Sequence, residues 1–461
     1  MELVHTKLNA TSEMVALTTW GNTKNLVITP AELLGPLDLT TLREAVAAAA
    51  ADFPQLGCSL KEVKEGGKRY LTWEPRPDLQ FPVTLWDLQG ATGSAPLIDS
   101  LLQRLEASLD RDWSLFEELP GECHIVRRSE DHHAVVPVIH HVAADAGEAS
   151  DFGRRIALKY RELVTGEQSH LQPRVRALSI SMKHSIPRKR ATMKDSLAGI
   201  WRSARGLTRR AVLPAGSGLD GDTREYHVKR LFSEEDTTAI GEWISDQKVR
   251  LSDLIVACGN TAIDRWNELH DISPGTITTA MTVNMKGRYS GLHEPNSTSV
   301  VFFKSDPEDR REWLQFIRSV TDKRTRHFSR QLDLRLSGNV SKMLDAVRRL
   351  PLDLRRRVVH YLVQKQQYSM TVTMLGVVWP SSDGNYSDES FPTWIGDTLI
   401  SEVHGIGYKL LSRAPIIFIV YIFRQQLNVV MAAAGSLFTR DEADGFADTF
   451  VALVRDQTGL L

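Results

Sequence analysis

Hydrophobic and polar positions follow two periods along this chain, and together they predict a mixture of strands and helices. In the first 170 residues, short apolar or alternating runs predict strands at 70–73, 83–86, 123–126 and 134–139. Spacings of three and four residues predict helices at 97–109 and 151–165, and an earlier helix that begins near Thr41 and stops at Phe53-Pro54. The first part of the chain is therefore expected to be an α/β unit.

The same ingredients return after residue 230. Strands are predicted at 276–284, 299–303, 369–378 and 416–423. Helices are predicted after Ser233, near Ser252, as a basic pair over 342–365, and after Thr439 at the end of the chain. This similarity indicates two related halves, although no repeat is visible at the level of residues.

A basic segment separates the two halves. Residues 171–210 hold eleven lysines and arginines against a single acid, Asp195, and residues 214–221 are rich in glycine and turn formers. We therefore predict an N-terminal half at 1–170, a crossover at 171–222 and a C-terminal half at 223–461. The crossover is either a solvated segment or a surface that binds phosphate groups. The helix that carries Arg355, Arg356 and Arg357 either packs on the second half or lies on a membrane surface.

The composition excludes several classes of protein. With 461 residues, 42% hydrophobic and 25% charged, the chain is typical of a soluble globular protein with two cores. Its formal net charge of −1 argues against a nucleic-acid partner. Three cysteines, Cys58, Cys123 and Cys258, lie far apart without a CxxC pair, so neither a disulfide framework nor a metal site is expected.

No signal peptide is visible, and the longest strongly apolar run, Ile416 to Phe423, is too short for a membrane span. We therefore expect a cytoplasmic protein, with peripheral contact to a membrane left open. A monomer is expected, because two internal halves can build one cleft without a partner subunit.

One place in the chain points to chemistry. The predicted strand 134–139 leads directly into His140-His141-Val142-Ala143-Ala144-Asp145, and small residues follow. An imidazole at a strand end is suited to general-base work near neutral pH. The alternative is a pair of structural histidines, and since adjacent side chains of a strand point to opposite faces, the two rings are not expected to share a metal. Pro137 cannot donate to a ladder, so the strand is expected to be irregular or at an edge there.

The segment HHVAADA at 140–146 resembles the HHxxxDG signature of the thioester-dependent acyltransferase superfamily. That superfamily includes chloramphenicol acetyltransferases, nonribosomal peptide condensation domains, plant alcohol and amine acyltransferases, and bacterial wax ester synthase/diacylglycerol acyltransferases. Further segments resemble wax ester synthase motifs in the same order, namely 252–257, 282–288, Pro295-Asn296-Ser297 and 373–376. The chain departs from the patterns at Ala146, which replaces the motif glycine ahead of Gly147, and at Ser252, Lys286 and Met374.

The resemblance implies two chloramphenicol-acetyltransferase-like α/β halves, each a mixed sheet with flanking helices, and an active-site tunnel at their interface. It implies an acyltransferase that moves an acyl group from acyl-CoA or a carrier-bound phosphopantetheinyl thioester to a small-molecule alcohol or amine, without a bound cofactor. A wax ester synthase-like enzyme or natural-product O-acyltransferase is the first interpretation. A free-standing condensation enzyme that uses carrier-protein thioesters is the second, and a non-catalytic member that binds a carrier or lipid is the third.

The resemblance also assigns roles to residues. His141 is the general base, and His140 faces into the fold and supports the loop. Asp145 is structural and pairs with Lys286 or Arg288. Thr373, Asn296 and Gly147 are candidates for oxyanion or substrate binding, although Thr373 could equally be an ordinary strand residue.

Overall fold

The computed structural model describes residues 6–21, 23–88, 97–166, 211–286, 296–364, 368–379, 394–395, 397–410 and 414–460. Most of the predicted basic crossover, including residues 171–210, lies outside these ranges, and the predicted domain boundaries stay predictions. The helices are α1 Ala10–Thr18, α2 Leu39–Ala51, α3 Leu97–Leu109, α4 Ala146–Thr165, α5 Glu234–Gln247, α6 Leu251–Leu269, α7 Trp313–Ser329, α8 Leu332–Val347, α9 Leu352–Gln364 and α10 Arg440–Thr458.

The strands of the first half are β1 Thr6–Lys7, β2 Leu26–Ile28, β3 Ala31–Leu34, β4 Cys58–Glu65, β5 Lys68–Pro75, β6 Val83–Asp87, β7 Gly121–Ser129 and β8 His132–His140. Those of the second half are β9 Glu225–Leu231, β10 Ile277–Asn284, β11 Thr298–Ser305, β12 Met370–Val377, β13 Trp394–Ile395, β14 Thr398–Val403, β15 Ile406–Tyr408, β16 Ile416–Phe423 and β17 Gln426–Ala434. A small separate sheet consists of β1, β5 and β4.

The second half is built on a mixed sheet. Among the described residues it has six strands in the order β11-β10-β12-β16-β17-β9. The β10–β12 and β12–β16 pairs are parallel, and the other pairs are antiparallel. Helices α6 and α10 cover the sheet with a buried face that includes Ile255, Phe446 and Phe450. Because β16 is buried along nearly its whole length, it has a continuous run of apolar residues.

The first half is also built on a mixed sheet, but part of this sheet comes from the far end of the chain. Among the described residues it has eight strands, in which β14 pairs with β3 and β15 pairs with β2. Helices α8 and α9 pack on this half as well, since Leu344, Val347 and Val359 belong to its core. The expected architecture of two α/β halves, each with a mixed sheet, is confirmed, and the halves exchange elements.

Strand β8, which leads to the histidine pair, is central in the first sheet. One of its edges pairs with β7, and the other pairs first with β3 and then with β2. Pro137 lies where the neighbour changes from β3 to β2, opposite the corner at Thr29, whose amide donates to the Pro137 carbonyl at 3.1 Å. The predicted irregularity is therefore present inside the sheet, at a position where the ladder is interrupted.

The predicted basic face of helix α9 is not a free surface. Arg355 is fully buried, with its guanidinium bonded to Glu13, Glu62 and the carbonyl of Arg69, whereas Leu354 is exposed. Helix α9 contacts α1 of the first half as well as α8 of the second half, so its packing extends beyond the half on which it was expected. The buried carboxylate of Glu13 and the half-buried carboxylate of Glu62 attract Arg355 inward, because an isolated buried carboxylate is very costly. Within the described ranges, no helix combines the length and apolar character needed to cross a bilayer.

Candidate active site

The turn after β8 places His141 at the boundary between the halves. The His141 amide donates to the carbonyl of Asn25 at 2.7 Å, and the Asn25 amide donates to the carbonyl of Lys409 at 3.1 Å. Asn25 has a left-handed backbone with φ of 53°, a conformation that asparagine tolerates better than most residues. The backbone of His141 is thus fixed by a chain of bonds that begins in the distant segment after β15.

His140 faces the interior and is used by the fold. Its ring is fully buried; Nδ1 accepts the amide of Val142 at 3.1 Å, and Nε2 lies 3.1 Å from the hydroxyl of Thr19. Since Nδ1 is an acceptor, the proton of the neutral ring is on Nε2. Burial, assisted by the neighbouring His141, lowers the pKa of His140 to about 3. His140 is therefore neutral near pH 7 and supports the turn.

The ring of His141 has a different environment. His141 is half-buried and lines a cavity, and its Nδ1 is enclosed without a hydrogen-bond partner among the described residues. Its carbonyl accepts a hydrogen bond from the side-chain amide of Asn296, which comes from the second half. The main chain of His141 is held on both sides, and its ring lines the cavity.

Asp145 joins the histidine turn to helix α4. Its carboxylate accepts the Glu148 amide at 2.9 Å, and the Glu148 carboxylate accepts the Asp145 amide at 3.3 Å, which makes a capping box at the start of α4. Lys286 of the second half lies 3.1 Å from Asp145 and 2.8 Å from Glu148. Burial alone would raise the pKa of Asp145, but the charge of Lys286 and the capping bond hold it below its ordinary value.

Lys286 is thus the described partner of Asp145, while Arg288 lies outside the described residues.

The substitution of the motif glycine by Ala146 is accommodated without strain. Ala146 is the first residue of α4 and is not among the residues with positive φ. No glycine is needed there, so the cost of a left-handed alanine does not arise.

The cavity beside His141 has a volume of about 370 Å³ and is formed by both halves. The first half contributes Val27, Thr29, His141, Asp145, Ala146 and Gly147. The second half contributes Thr282, Asn284, Thr298, Thr373, Met374, Leu375, Gly376, Gly405, Ile406, Gly407, Leu410 and Ile419. A cavity between two sheets, with an imidazole in its wall, is typical of a small-molecule site.

The remaining predicted site residues divide into two groups. Thr373 and Gly147 line the cavity, and the hydroxyl of Thr282 donates to the hydroxyl of Thr373 at 3.2 Å. Asn296 is fully buried, and its amide group bonds to the His141 carbonyl and to Ser12. The predicted substrate contact of Asn296 is replaced by a supporting one, because the histidine turn uses its donor.

Three supporting residues were missed in the sequence: Asn25, Lys409 and Glu148. The spacing of Asp145 and Glu148 is that of a capping box, and this signal would have identified Glu148. Asn25 and Lys409 meet only because β15 pairs with β2. No local pattern indicates that contact.

Comparisons with solved structures identify the fold. The first condensation domain of the calcium-dependent antibiotic synthetase superposes with a TM-score of 0.66 at 14% identity, over 99% of this chain and 96% of that domain. The epimerization domain from the third module of tyrocidine synthetase B gives 0.63 at 13% identity, over 99% and 96%. The X-domain from teicoplanin biosynthesis gives 0.61 at 15% identity, over 100% and 96%. No family model and no curated protein matches the sequence.

The chain therefore has the fold of nonribosomal peptide condensation-type domains, with two chloramphenicol-acetyltransferase-like halves. This confirms the fold that the resemblance of residues 140–146 implied. At such low identity the likeness establishes the fold alone, and chemistry must be argued from the site.

Proposed function

We propose that the protein transfers an acyl group from a phosphopantetheine thioester to a hydroxyl or amine, with His141 as the general base. The observation that carries this proposal is the position of His141 at the wall of a cavity between the halves. Its backbone is fixed through Asn25 and Asn296, so the ring is oriented before substrate binds. A fixed base near a bound nucleophile gains from proximity as well as from proton transfer.

In the proposed reaction, Nε2 of neutral His141 accepts the proton of the acceptor hydroxyl or amine as that atom attacks the thioester carbonyl. The tetrahedral oxyanion then collapses, the carbon–sulfur bond breaks, and the thiolate takes the proton back from the imidazolium. The products are the ester or amide and a free thiol, and no acyl-enzyme forms. The Thr373 hydroxyl accepts from Thr282, so its own proton is available to the oxyanion.

The donor distinguishes two versions of this function. Similarity to condensation domains supports a donor bound to a carrier protein. An acyl-CoA donor, as in a wax ester synthase-like enzyme or a natural-product O-acyltransferase, shares the same reacting thioester and the same base. We favour the carrier-bound donor and make the acyl-CoA donor an outcome of the test.

The test measures thiol release from acyl-CoA and from acyl-carrier protein in the presence of a panel of alcohols and amines. His141→Ala should lower the rate by roughly 10²–10⁴-fold, the usual contribution of a general base, while its thermal unfolding is nearly unchanged. The exposed His270, whose ring lies tilted against Trp266 at the end of α6, provides the control His270→Ala with unchanged activity. Equal rates for wild type and His141→Ala would refute the proposed base. Binding of carrier without thiol release in any combination would instead identify a non-catalytic carrier-binding protein.

A further inference from the structure

We infer that the cavity beside His141 is divided into an aliphatic pocket for the acyl group and a polar wall for the acceptor, so that the donor carries a short, uncharged aliphatic acyl group. This inference rests on the proposed function. It comes from how the lining residues are distributed around the cavity, and it names a substrate class and the residues that set its size.

The aliphatic side of the cavity is one continuous surface. Gly407 of β15 pairs directly with Val27 of β2. A Cβ atom added to Gly407 would meet Leu410 at 2.3 Å and Ile419 at 3.7 Å, which shows that both side chains lie over this glycine. Together with Val27 they form a pocket without a polar side chain.

The same surface continues at Gly405, where an added Cβ would lie 3.3 Å from both Leu375 and Ile419. Gly405 lies just before β15 and Gly407 within it, and the absence of their side chains lets Leu375, Ile419 and Leu410 pack directly over the backbone there. Glycine in a strand weakens it and often marks a place where a ligand approaches closely. We therefore assign this floor to the acyl chain.

The adjoining part of the wall is polar but uncharged, and it begins next to Ile419, whose register partner is Thr373. Thr282 and Thr373 are register partners of parallel strands β10 and β12, and their hydroxyls are bonded to each other. Asn284 and Thr298 are register partners of β10 and β11, two residues further along the same face. Hydroxyl and amide groups of this kind suit an alcohol, amine or amide better than they suit an alkyl chain.

The charge and the volume of the cavity further restrict which acyl groups it can bind. Among the described lining residues, the carboxylate is Asp145, which is already paired with Lys286, and no lysine or arginine lines the cavity. A charged acyl group would find no unpaired counter-charge among these described lining residues and would lose its hydration. A volume of about 370 Å³ is at the small end of the roughly 300–1,000 Å³ of small-molecule sites, and the acceptor must share it. The expected acyl group is therefore short rather than a long fatty chain.

Binding of thioethers tests this without chemistry. S-ethyl, S-butyl, S-hexyl and S-dodecyl pantetheine cannot transfer a group, and calorimetry gives their affinities for the full chain. Wild type should bind the S-hexyl compound more tightly than the S-ethyl compound and should reject the S-dodecyl compound. Gly407→Ala should displace Leu410 into the pocket and weaken S-hexyl binding, by ~4-fold for each methylene excluded and roughly 15-fold for two.

Leu410→Ala is the opposing variant, and it should shift the preference towards longer chains. The double variant Gly407→Ala/Leu410→Ala should recover S-hexyl binding, and this recovery separates a filled pocket from a misfolded one. Affinities that do not depend on alkyl length, or single variants that shift the preference in the same direction, would overturn the inference. If the affinities depend on alkyl length but no His141-dependent thiol release is found, the proposed function is refuted and the pocket assignment stands. If thiol release depends on His141 but not on chain length, the pocket assignment is refuted and the proposed function stands.

Discussion

Replacing Lys286 by methionine tests the contact that ties the two halves together at the site. In wild type the ammonium of Lys286 lies between the carboxylates of Asp145 and Glu148, whose side chains are 9% and 3% exposed. Lys286→Met keeps most of the length of the side chain but removes the cation that lies between the two buried carboxylates. Removing one partner of a buried ion pair costs about 3–5 kcal/mol, and we expect a loss of this size at pH 7.

The sign of the pH dependence provides a second, independent test. In wild type the folded pKa of Asp145 is depressed, so its contribution to stability is present above the unfolded pKa and is lost as the pH falls through the folded value. In Lys286→Met burial is no longer opposed by the charge of Lys286 and raises the carboxyl pKa, so protonation at acid pH relieves the penalty. The free-energy difference between wild type and variant should therefore be largest near pH 7–8 and shrink towards pH 5.

Urea unfolding at a series of pH values measures both effects. Lys64→Met is the matched control, because Lys64 is exposed on β4 and should lose less than about 0.5 kcal/mol at every pH. A loss below about 1 kcal/mol for Lys286→Met at pH 7, or an equal loss at pH 5 and pH 8, would refute the reasoning. Either result would mean that the carboxylates at the start of α4 do not depend on Lys286.

Three further predictions concern buried polar groups. Asn25→Ala should be less stable than Asn25→Gly by about 1 kcal/mol in thermal unfolding, because only glycine adopts its φ of 53° freely; equal stabilities would argue against a strained turn. Burial raises the pKa of Glu225 to about 7, so wild type loses stability as the pH rises through that value. Glu225→Gln should therefore stabilise the protein by up to ~3 kcal/mol near pH 8 and not at pH 4.5. A pH-independent effect in urea unfolding would contradict this. Arg355→Met should lower the free energy of unfolding by about 3–5 kcal/mol. Arg357 is exposed on the same helix, and Arg357→Met should lower it by less than about 0.5 kcal/mol. Similar losses for the two variants would show that Arg355 is not a buried anchor.

Elements whose pattern is local were predicted closely from the sequence. The helix at 97–109 and the strand at 416–423 have the predicted bounds, because amphipathic spacing and a short β-branched run are decided by nearby residues. The start of α2 differs: its cap is Asp38, whose carboxylate accepts the amide of Thr40 and the hydroxyl of Thr41. The sequence predicts Thr41 as the cap, but the Thr41 hydroxyl is already bonded to the carboxylate of Asp38, which is the stronger acceptor.

Elements that depend on distant partners were not predicted. Strands β13 and β15 have two and three residues, too few for a period to be recognised, and in the six residues of β14 Ser401 and Glu402 interrupt the apolar run. They are strands because β3 and β2 offer free edges, and nothing within 394–408 indicates those partners. The same limit applies at the site, where the motif identifies His141 and Asp145 but the contact from Lys409 to Asn25 exists only after β15 has paired.

The site is consequently a property of the joined halves rather than of the motif. Among the described residues, three residues of the second half bond to the histidine turn and its cap: Lys409 to Asn25, Asn296 to the carbonyl of His141, and Lys286 to Asp145. They come from three separate segments of the second half, so a shift of that half must move the turn, its cap or both. Because both halves line the cavity, a movement of one half that changes the width of the cavity also moves the turn that carries the imidazole. Substrate that fills the space between the sheets would therefore act directly on the geometry of the proposed base.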